Sequence, residues 1–262
     1  MSKRTQHFPR QRRHTLLFLE HSRAYRPVII DTDVEMTQVV QHRRQSGGRF
    51  SYLAYLIQAM SQVVAQYPEA NSLFLGRFFP RLAPLDAVNA KFTLDKTVAG
   101  QRIVVSAVIE RADSLSLEAI QRHIDDIKAQ EMADGKAFAP IRKIHSMPLL
   151  LARLLFRYAM WRPAIKSRVQ GTFTITSLGG RAVSRFIPLP GSTLTLGVGD
   201  IAERPLVKNG RLSVAHATTL TLVFDHRVLD GAISAEILAK IKEKLESVVV
   251  CNLENPGRSP TV

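Results

Sequence analysis

The sequence predicts an α/β fold in which a mixed β-sheet is covered by helices. Strand-like and helix-like patterns are interleaved along the chain, and neither repeats nor low-complexity linkers divide them. The 262 residues, 45% of them hydrophobic, are enough to bury one substantial core. We therefore expect one domain over residues 15–250, preceded by a basic arm at 1–14 and followed by a tail at 251–262.

The first predicted elements are a strand and a long helix. Residues 26–34, "RPVIIDTDV", are rich in β-branched side chains, which favours a strand. After a polar stretch and "SGG", apolar residues fall at helical spacing until Pro68 marks a stop. The apolar residues of this predicted amphipathic helix are Phe50, Leu53, Leu56, Ile57, Met60, Val63, Val64 and Tyr67.

Two strands and a second amphipathic helix are predicted next. Residues 91–95 and 102–110 read as strands, and either Ser114 or Ser116 can cap the helix that follows. The buried stripe of that helix comprises Leu117, Ile120, Ile124 and Ile127. Three more strands are predicted over 171–180, 192–200 and 216–226, and a last helix over 233–249.

A basic, apolar segment lies between these two groups of elements. Its core, "MPLLLARLLFRYAMW" at 147–161, is interrupted by Arg153 and Arg157, whereas a membrane span needs about 20 mostly apolar residues. The chain has a net charge of +14, and residues 141–168 contain no acid but these seven cations: Arg142, Lys143, Arg153, Arg157, Arg162, Lys166 and Arg168. Such a concentration of positive charge could attract nucleic acid, anionic lipid or a phosphate-rich small molecule.

The purely structural interpretation of this segment is a solvated basic surface on a helix that packs against the core by its apolar side. Nucleic acid is the least expected partner, because no nucleic-acid motif is present and aromatic residues are not interleaved with the basic ones. Contact between 147–161 and an anionic membrane is a further expectation.

Cysteine content indicates the compartment. The single cysteine, Cys251, allows neither a disulfide framework nor a CxxC metal or redox motif, so we expect a cytoplasmic protein without a metal. The N-terminal apolar run "LLFL" is far too short for a secretory leader.

The stretch "VFDHRVLDG" at 223–231 is the strongest chemical signal. It places His226 at the exit of an apolar strand, where histidine can accept and return a proton near neutral pH. Asp230 can curl back to fix the turn, and Gly231 permits a backbone angle that other residues resist. By itself the motif is equally compatible with an ordinary turn histidine.

With the strand before it and the helix after it, this stretch resembles the end of the acyltransferase (E2) catalytic domains of 2-oxoacid dehydrogenase complexes. "GTFTITSLGG" is similar to an upstream strand and turn of that family, and residues 34–71 are similar in order and spacing to its first strand and long helix. The resemblance implies a chloramphenicol acetyltransferase-like two-layer sandwich. No lipoyl or subunit-binding domain is recognisable, which favours a stand-alone member, and residues 131–168 differ from the family core.

Site roles follow from the resemblance alone. It implies that His226 is the general base that deprotonates a thiol, and that Thr176 donates a hydrogen bond to the tetrahedral oxyanion. Thr174 or Ser177 would replace Thr176 if the register is shifted. Asp230 would orient the histidine loop, with Gly231 and Arg13 as structural support, and Arg227 is interpreted as structural.

The resemblance further implies a homotrimer in which His226 of one subunit faces Thr176 of its neighbour. Coenzyme A would be a substrate, and acyl-CoA or an acyl carrier the partner. Residues 147–161 could supply part of the subunit interface, or their charge could attract the phosphates of coenzyme A. The predicted function is CoA-dependent acyl transfer to a thiol, hydroxyl or amine. The alternatives are an inactive oligomeric scaffold and a basic protein that docks on membrane or nucleic acid.

Overall fold

The computed structural model describes residues 8–76, 79–98, 100–208 and 210–248, so the predicted tail at 251–262 lies outside the described residues. Within them the chain alternates between helices and strands as the sequence patterns predict. The elements are α1 (Arg13–Ser22), β1 (Pro27–Glu35), α2 (Thr37–Gln45), α3 (Tyr52–Val64), β2 (Ser72–Leu75), β3 (Arg81–Pro84), β4 (Ala90–Val98), β5 (Gln101–Ile109), α4 (Leu117–Ala129), α5 (Ala139–Ser146), α6 (Leu149–Trp161), α7 (Pro163–Gln170), β6 (Phe173–Ser177), β7 (Leu194–Val198), β8 (Ala202–Lys208), β9 (Arg211–Asp225) and α8 (Gly231–Glu246).

A seven-stranded mixed sheet forms the centre of the fold. Its order is β1-β9-β7-β6-β4-β5, and β8 pairs with the first half of β9. The β4–β6 and β6–β7 pairs are parallel, whereas the other pairs are antiparallel. Strands β2 and β3 form a separate hairpin. The sheet therefore joins strands from both ends of the chain, because β9 lies between β1 and β7.

The two faces of the sheet differ in chemistry. One face is apolar and packs in the main core with α3 and α8, which contact each other and the sheet. On the other face Thr176, Gly197 and Thr221 pair across β6, β7 and β9, and the Thr93 hydroxyl on β4 lies 2.9 Å from that of Thr176. A side chain at Gly197 would collide with the carbonyl of Phe186, so this glycine lets the segment before β7 lie directly on the threonine-rich face.

The predicted strands and amphipathic helices are present with small changes at their ends. Ser116, not Ser114, caps α4, since its hydroxyl accepts a 3.2 Å hydrogen bond from the backbone N–H of Ala119. The last helix begins at Gly231, earlier than predicted. No helix in the described part of the chain combines the length and apolarity needed to cross a bilayer.

The N-terminal boundary needs a correction. Arg13 and His14, assigned to the basic arm, begin α1. His14 Nδ1 lies 2.9 Å from His145 Nε2 on α5, and its Nε2 lies 2.9 Å from the Val104 carbonyl oxygen. These contacts anchor α1 to the body of the domain.

Candidate active site

The backbone around His226 forms a rigid corner at the end of β9. The His226 N–H donates to the Arg26 carbonyl over 2.8 Å, and the Val228 and Leu229 N–H groups donate to the Asp225 carbonyl. The His226 side chain remains 47% exposed. The corner thus presents an imidazole to solvent from a fixed backbone, which suits a group that must meet a substrate.

A buried ion pair lies beneath this corner. The Asp225 side chain is 1% exposed and accepts two bonds from the Arg227 guanidinium, at 2.5 and 2.9 Å. It also accepts from the backbone N–H groups of Arg26 and Arg227. The guanidinium lies 4.3 Å from the ring centroid of Phe74, a cation–π contact. Arg227 is therefore structural, and Asp225 is a major anchor of the corner.

Asp230 lies beside His226, as the spacing predicts. Its Oδ1 atom is 3.5 Å from His226 Nδ1, and its side chain is 89% exposed. Gly231 does not adopt the backbone conformation that the sequence led us to expect, one that other residues resist. Its φ is not positive and a Cβ would meet no atom within 4 Å, because it is simply the first residue of α8.

The expectation that Arg13 supports the site is wrong for a single subunit. The Arg13 guanidinium donates to the carbonyls of His145 and Met147, at 3.1 and 2.6 Å. These contacts hold the end of α5 against α1. The physical reason is local: the carbonyls at the C-terminal end of α5 carry the negative end of its dipole and attract the cation.

Hydrogen bonding distinguishes Thr176 from Thr174. Thr93, directly across on β4, donates to the Thr176 hydroxyl over 2.9 Å, so the Thr176 proton is free for another acceptor. The Ser192 hydroxyl donates to the Leu194 carbonyl over 2.7 Å and lies 2.8 Å from the Thr174 hydroxyl. The buried Thr174 must therefore donate its own proton to Ser192. Ser177 lies on the opposite face by strand alternation.

Within one subunit the structure does not bring Thr176 and His226 together. Thr176 is opposite Gly197, which is opposite Thr221, and His226 follows five residues after Thr221. Five residues along a strand and two strand spacings give a separation of about 20 Å. A proton acceptor and an oxyanion donor cannot act on one carbonyl across that distance.

Two buried lysines give this side of the molecule a positive field. Lys91 lies beside Thr174 on β4, 5.6 Å from the Phe18 ring centroid, and burial lowers its pKa to about 8. Burial and the charge of Arg227 lower the pKa of Lys166 to about 8, and its Nζ donates to the Phe74 carbonyl over 3.0 Å. Nothing in the sequence distinguishes these lysines from solvated ones.

A cavity of about 700 Å³ is lined by Lys96, Glu131, Arg142 and their neighbours, away from both His226 and Thr176. Among residues 8–76, 79–98, 100–208 and 210–248, no group of three His, Cys, Asp or Glu side chains could hold a metal ion.

The fold is that of chloramphenicol acetyltransferase. A solved structure of that enzyme superposes with a TM-score of 0.53 at 12% identity, covering 95% of this chain and 99% of that chain. Residues 162–252 match the family model described as 2-oxoacid dehydrogenases acyltransferase (catalytic domain). Over those residues the chain is thus similar to the acyltransferase components of 2-oxoacid dehydrogenases.

Two further comparisons agree with this similarity to acyltransferase components. The dihydrolipoyllysine-residue succinyltransferase component of the 2-oxoglutarate dehydrogenase complex of Buchnera aphidicola is 26% identical over 225 residues, covering 82% of this chain and 45% of that protein. The cubic core of the pyruvate dehydrogenase multienzyme complex superposes with a TM-score of 0.69 at 19% identity, covering 94% and 93%.

The chain spans about half the length of the curated relatives it matches. The comparisons confirm the predicted fold and the resemblance to acyltransferase catalytic domains. The roles of His226, Thr176 and Asp230 stay predictions.

Proposed function

We propose that this chain is a CoA-dependent acyltransferase whose site combines His226 of one subunit with Thr176 of the next. The direction of the Thr93 to Thr176 hydrogen bond carries the proposal. It leaves a half-buried hydroxyl on a rigid strand with its proton available, as an oxyanion donor requires.

The transfer is a thiol–thioester exchange. His226 accepts the proton of the attacking thiol, and the resulting thiolate adds to the thioester carbonyl. Negative charge moves to the carbonyl oxygen, where the Thr176 hydroxyl donates to it. The tetrahedral intermediate then expels the second thiolate, which takes the proton back from His226. The exposed Asp230 carboxylate, 3.5 Å from His226 Nδ1, stabilises the imidazolium formed between these steps.

Assembly into trimers would complete the site. The separation of about 20 Å between Thr176 and His226 within one subunit supports a site made between subunits. One solved structure with this fold is a cubic core, a symmetry that contains threefold axes. A heterologous threefold contact repeats the same pairing at every interface.

The acyl donor and acceptor are proposed from the chemistry of the relatives. The Buchnera relative is named for transfer involving a dihydrolipoyllysine residue. For this chain we propose acyl-CoA as one partner. The other is the thiol of a lipoyl group or similar carrier on a separate protein, or a small acceptor.

A substitution of His226 tests the proposal. His226→Ala removes the base and should lower acetyl transfer from acetyl-CoA to dihydrolipoamide by about 10²–10⁴-fold. Release of CoA thiol measures the rate, and a panel of longer acyl-CoAs extends the assay. The matched control is His123→Ala, which removes an exposed histidine from α4 and should leave the rate unchanged.

Two results would contradict the proposed catalytic function. Wild-type rates in His226→Ala, with the assembly intact, would exclude His226 as the base. Failure of the wild-type protein to bind CoA in calorimetry, together with a large stable assembly, would favour the scaffold function.

A further inference from the structure

Helix α6 turns its apolar side away from the protein. Its buried residues are small or flexible, Ala152 at 0% and Met160 at 7% exposure, while Leu150 is 70% exposed and Trp161 68% exposed. This orientation contradicts the purely structural interpretation, in which the helix packs against the core by its apolar side. The exposed apolar residues of this outer face are Leu150, Leu151, Leu154, Leu155, Tyr158, Trp161 and, on α7, Ile165.

The outer face is continuous along the helix. Positions 150, 154, 158 and 161 recur at spacings of four and three residues, so they form one stripe. Soluble helices place such stripes against the core, and a contiguous exposed apolar patch marks a contact site.

Charge around this face indicates what contacts it. From Gly135 to Gly199 the sequence contains no Asp or Glu, but ten Lys or Arg residues. Arg157 and Arg162 are exposed and flank Tyr158 and Trp161, whereas Arg153 is paired with Glu20 on α1 at 2.6 Å. An apolar stripe bordered by exposed arginines is complementary to a surface that is negative outside and apolar beneath.

The aromatic pair supports the same surface. The Tyr158 and Trp161 ring centroids are 6.5 Å apart at the C-terminal end of the outer face. Such amphipathic rings favour the boundary between lipid headgroups and acyl chains. A two-fold contact between copies fits less well, because it would place Arg157 and Arg162 against like charges.

We propose that the outer face of α6 docks this protein on an anionic lipid bilayer. The helix lies in the plane of the interface, with its leucines and Trp161 below the headgroups and Arg157 and Arg162 among the lipid phosphates. This placement goes beyond acyl transfer and does not depend on it. It brings the enzyme to a membrane surface rather than through the bilayer.

Vesicle flotation of the full-length protein tests the proposal. The wild-type protein should float with vesicles of phosphatidylcholine containing about one third phosphatidylglycerol, and about tenfold less with phosphatidylcholine alone. The double variant Leu150→Glu/Leu154→Glu should lose binding about tenfold, and Arg157→Glu/Arg162→Glu should lose it similarly at low salt. These side chains are exposed, so folding should be unaffected.

The matched control is Leu212→Glu/Val214→Glu on β9, where the two side chains are 75% and 71% exposed. It should float like the wild type. Wild-type flotation of the α6 variants, or equal flotation with neutral and anionic vesicles, would overturn the proposal. So would a lower oligomeric state of Leu150→Glu/Leu154→Glu in ultracentrifugation, because a second copy would then cover the face. Acetyl transfer in solution should persist in Leu150→Glu/Leu154→Glu, which separates this test from that of the catalytic site.

Discussion

The direction of one hydrogen bond distinguishes the hydroxyls on β6. Thr93 donates to Thr176, while Thr174 is engaged with Ser192 inside the protein. Of these two threonines, only Thr176 therefore combines partial exposure with an available proton. Under the proposed function Thr93 acts through Thr176 and is therefore a positioning residue.

Substitution of Thr93 tests this positioning. Thr93→Val should lower kcat about tenfold with little change in KM, because the oxyanion donor loses its orientation but the substrate contacts remain. Thr93→Ser keeps the hydroxyl and should restore most of kcat. Steady-state kinetics with acetyl-CoA provide the measurement, and equal kcat values for the two variants would contradict the role.

Substitutions on β6 itself give a second comparison. Thr176→Val should lower kcat by about 10²–10³-fold, since it removes the donor itself. Thr174→Val should keep kcat and lower the free energy of unfolding by about 1 kcal/mol, because its hydroxyl contributes only to the buried pair with Ser192. The opposite pattern of rates would assign the oxyanion donor to Thr174.

The Asp225–Arg227 pair is expected to dominate the stability of the corner. Asp225→Asn removes the counter-charge from a guanidinium that is only 24% exposed, and should cost about 3–5 kcal/mol in the free energy of unfolding. Urea denaturation measures the loss. The control is Asp230→Asn, an 89% exposed site that should change stability by less than about 0.5 kcal/mol. Similar losses in both variants would argue against a special role for Asp225.

The sequence motif located His226 and Asp230 but could not rank the threonines. Thr174 and Thr176 lie on the same face of the strand, and their difference depends on Ser192 and Thr93, which are distant in sequence. The role of Asp225 was missed for the same reason. Its burial depends on Phe74 and Tyr25 packing on Arg227.

At the scale of elements, α1 carries a pH-sensitive contact. His21 lies edge-on to Tyr25 and to Phe156 of α6, with centroids 5.6 and 5.8 Å away. Burial, reinforced by the positive charge of Lys166, lowers the pKa of His21 from 6.5 to about 4. The unfolded chain therefore binds a proton at His21 below pH 6.5, while the folded chain does so only near pH 4.

The free energy of unfolding should consequently fall as pH drops from 6.5 towards 4, and this group should add nothing to the slope above 6.5. His21→Phe keeps the aromatic contacts and should remove up to about 2 kcal/mol of the stability difference between pH 7 and pH 5. Denaturant unfolding at the two pH values measures it. His123→Phe on α4 is the control, because His123 is exposed. An unchanged pH dependence in His21→Phe would contradict the assignment.

Elements whose apolar residues recur with one strong period were predictable from the sequence, and other elements were not. Helices α3, α4 and α8 bury a stripe that the sequence shows directly. Helix α1 was hidden by its basic start, and β8 contains Pro205 at the edge of the sheet. The segment that forms α6 was located, but its orientation was not, since hydrophobic periodicity identifies a stripe without showing what covers it.

At the scale of the whole molecule, the strand order could not be predicted from local pattern. Strand β9 pairs with β1, from the start of the chain, and with β7. The centre of the sheet is therefore held together by strands that are far apart in sequence. This order also fixes where Thr176 and His226 lie. Their separation predicts that each subunit contributes half of two different sites.

Mixing two inactive variants tests this arrangement. If His226→Ala and Thr176→Ala subunits are unfolded together and refolded at equal amounts, some interfaces will pair an intact His226 with an intact Thr176. Random assembly of a trimer should restore about a quarter of the wild-type activity. Each variant refolded alone is the control and should remain inactive. No recovery in mixed trimers, verified by mass spectrometry, would mean that the site lies within one chain.

The distance between these two side chains also determines how the rate responds to dilution. A lone subunit holds both groups but cannot apply them to the same carbonyl, so dissociation should abolish turnover without unfolding the chain. Specific activity should then fall as the protein is diluted below the dissociation constant of the assembly. At the lowest concentrations the rate should approach second order in protein, because two subunits complete one site, so expression level itself would act as a switch for this chemistry.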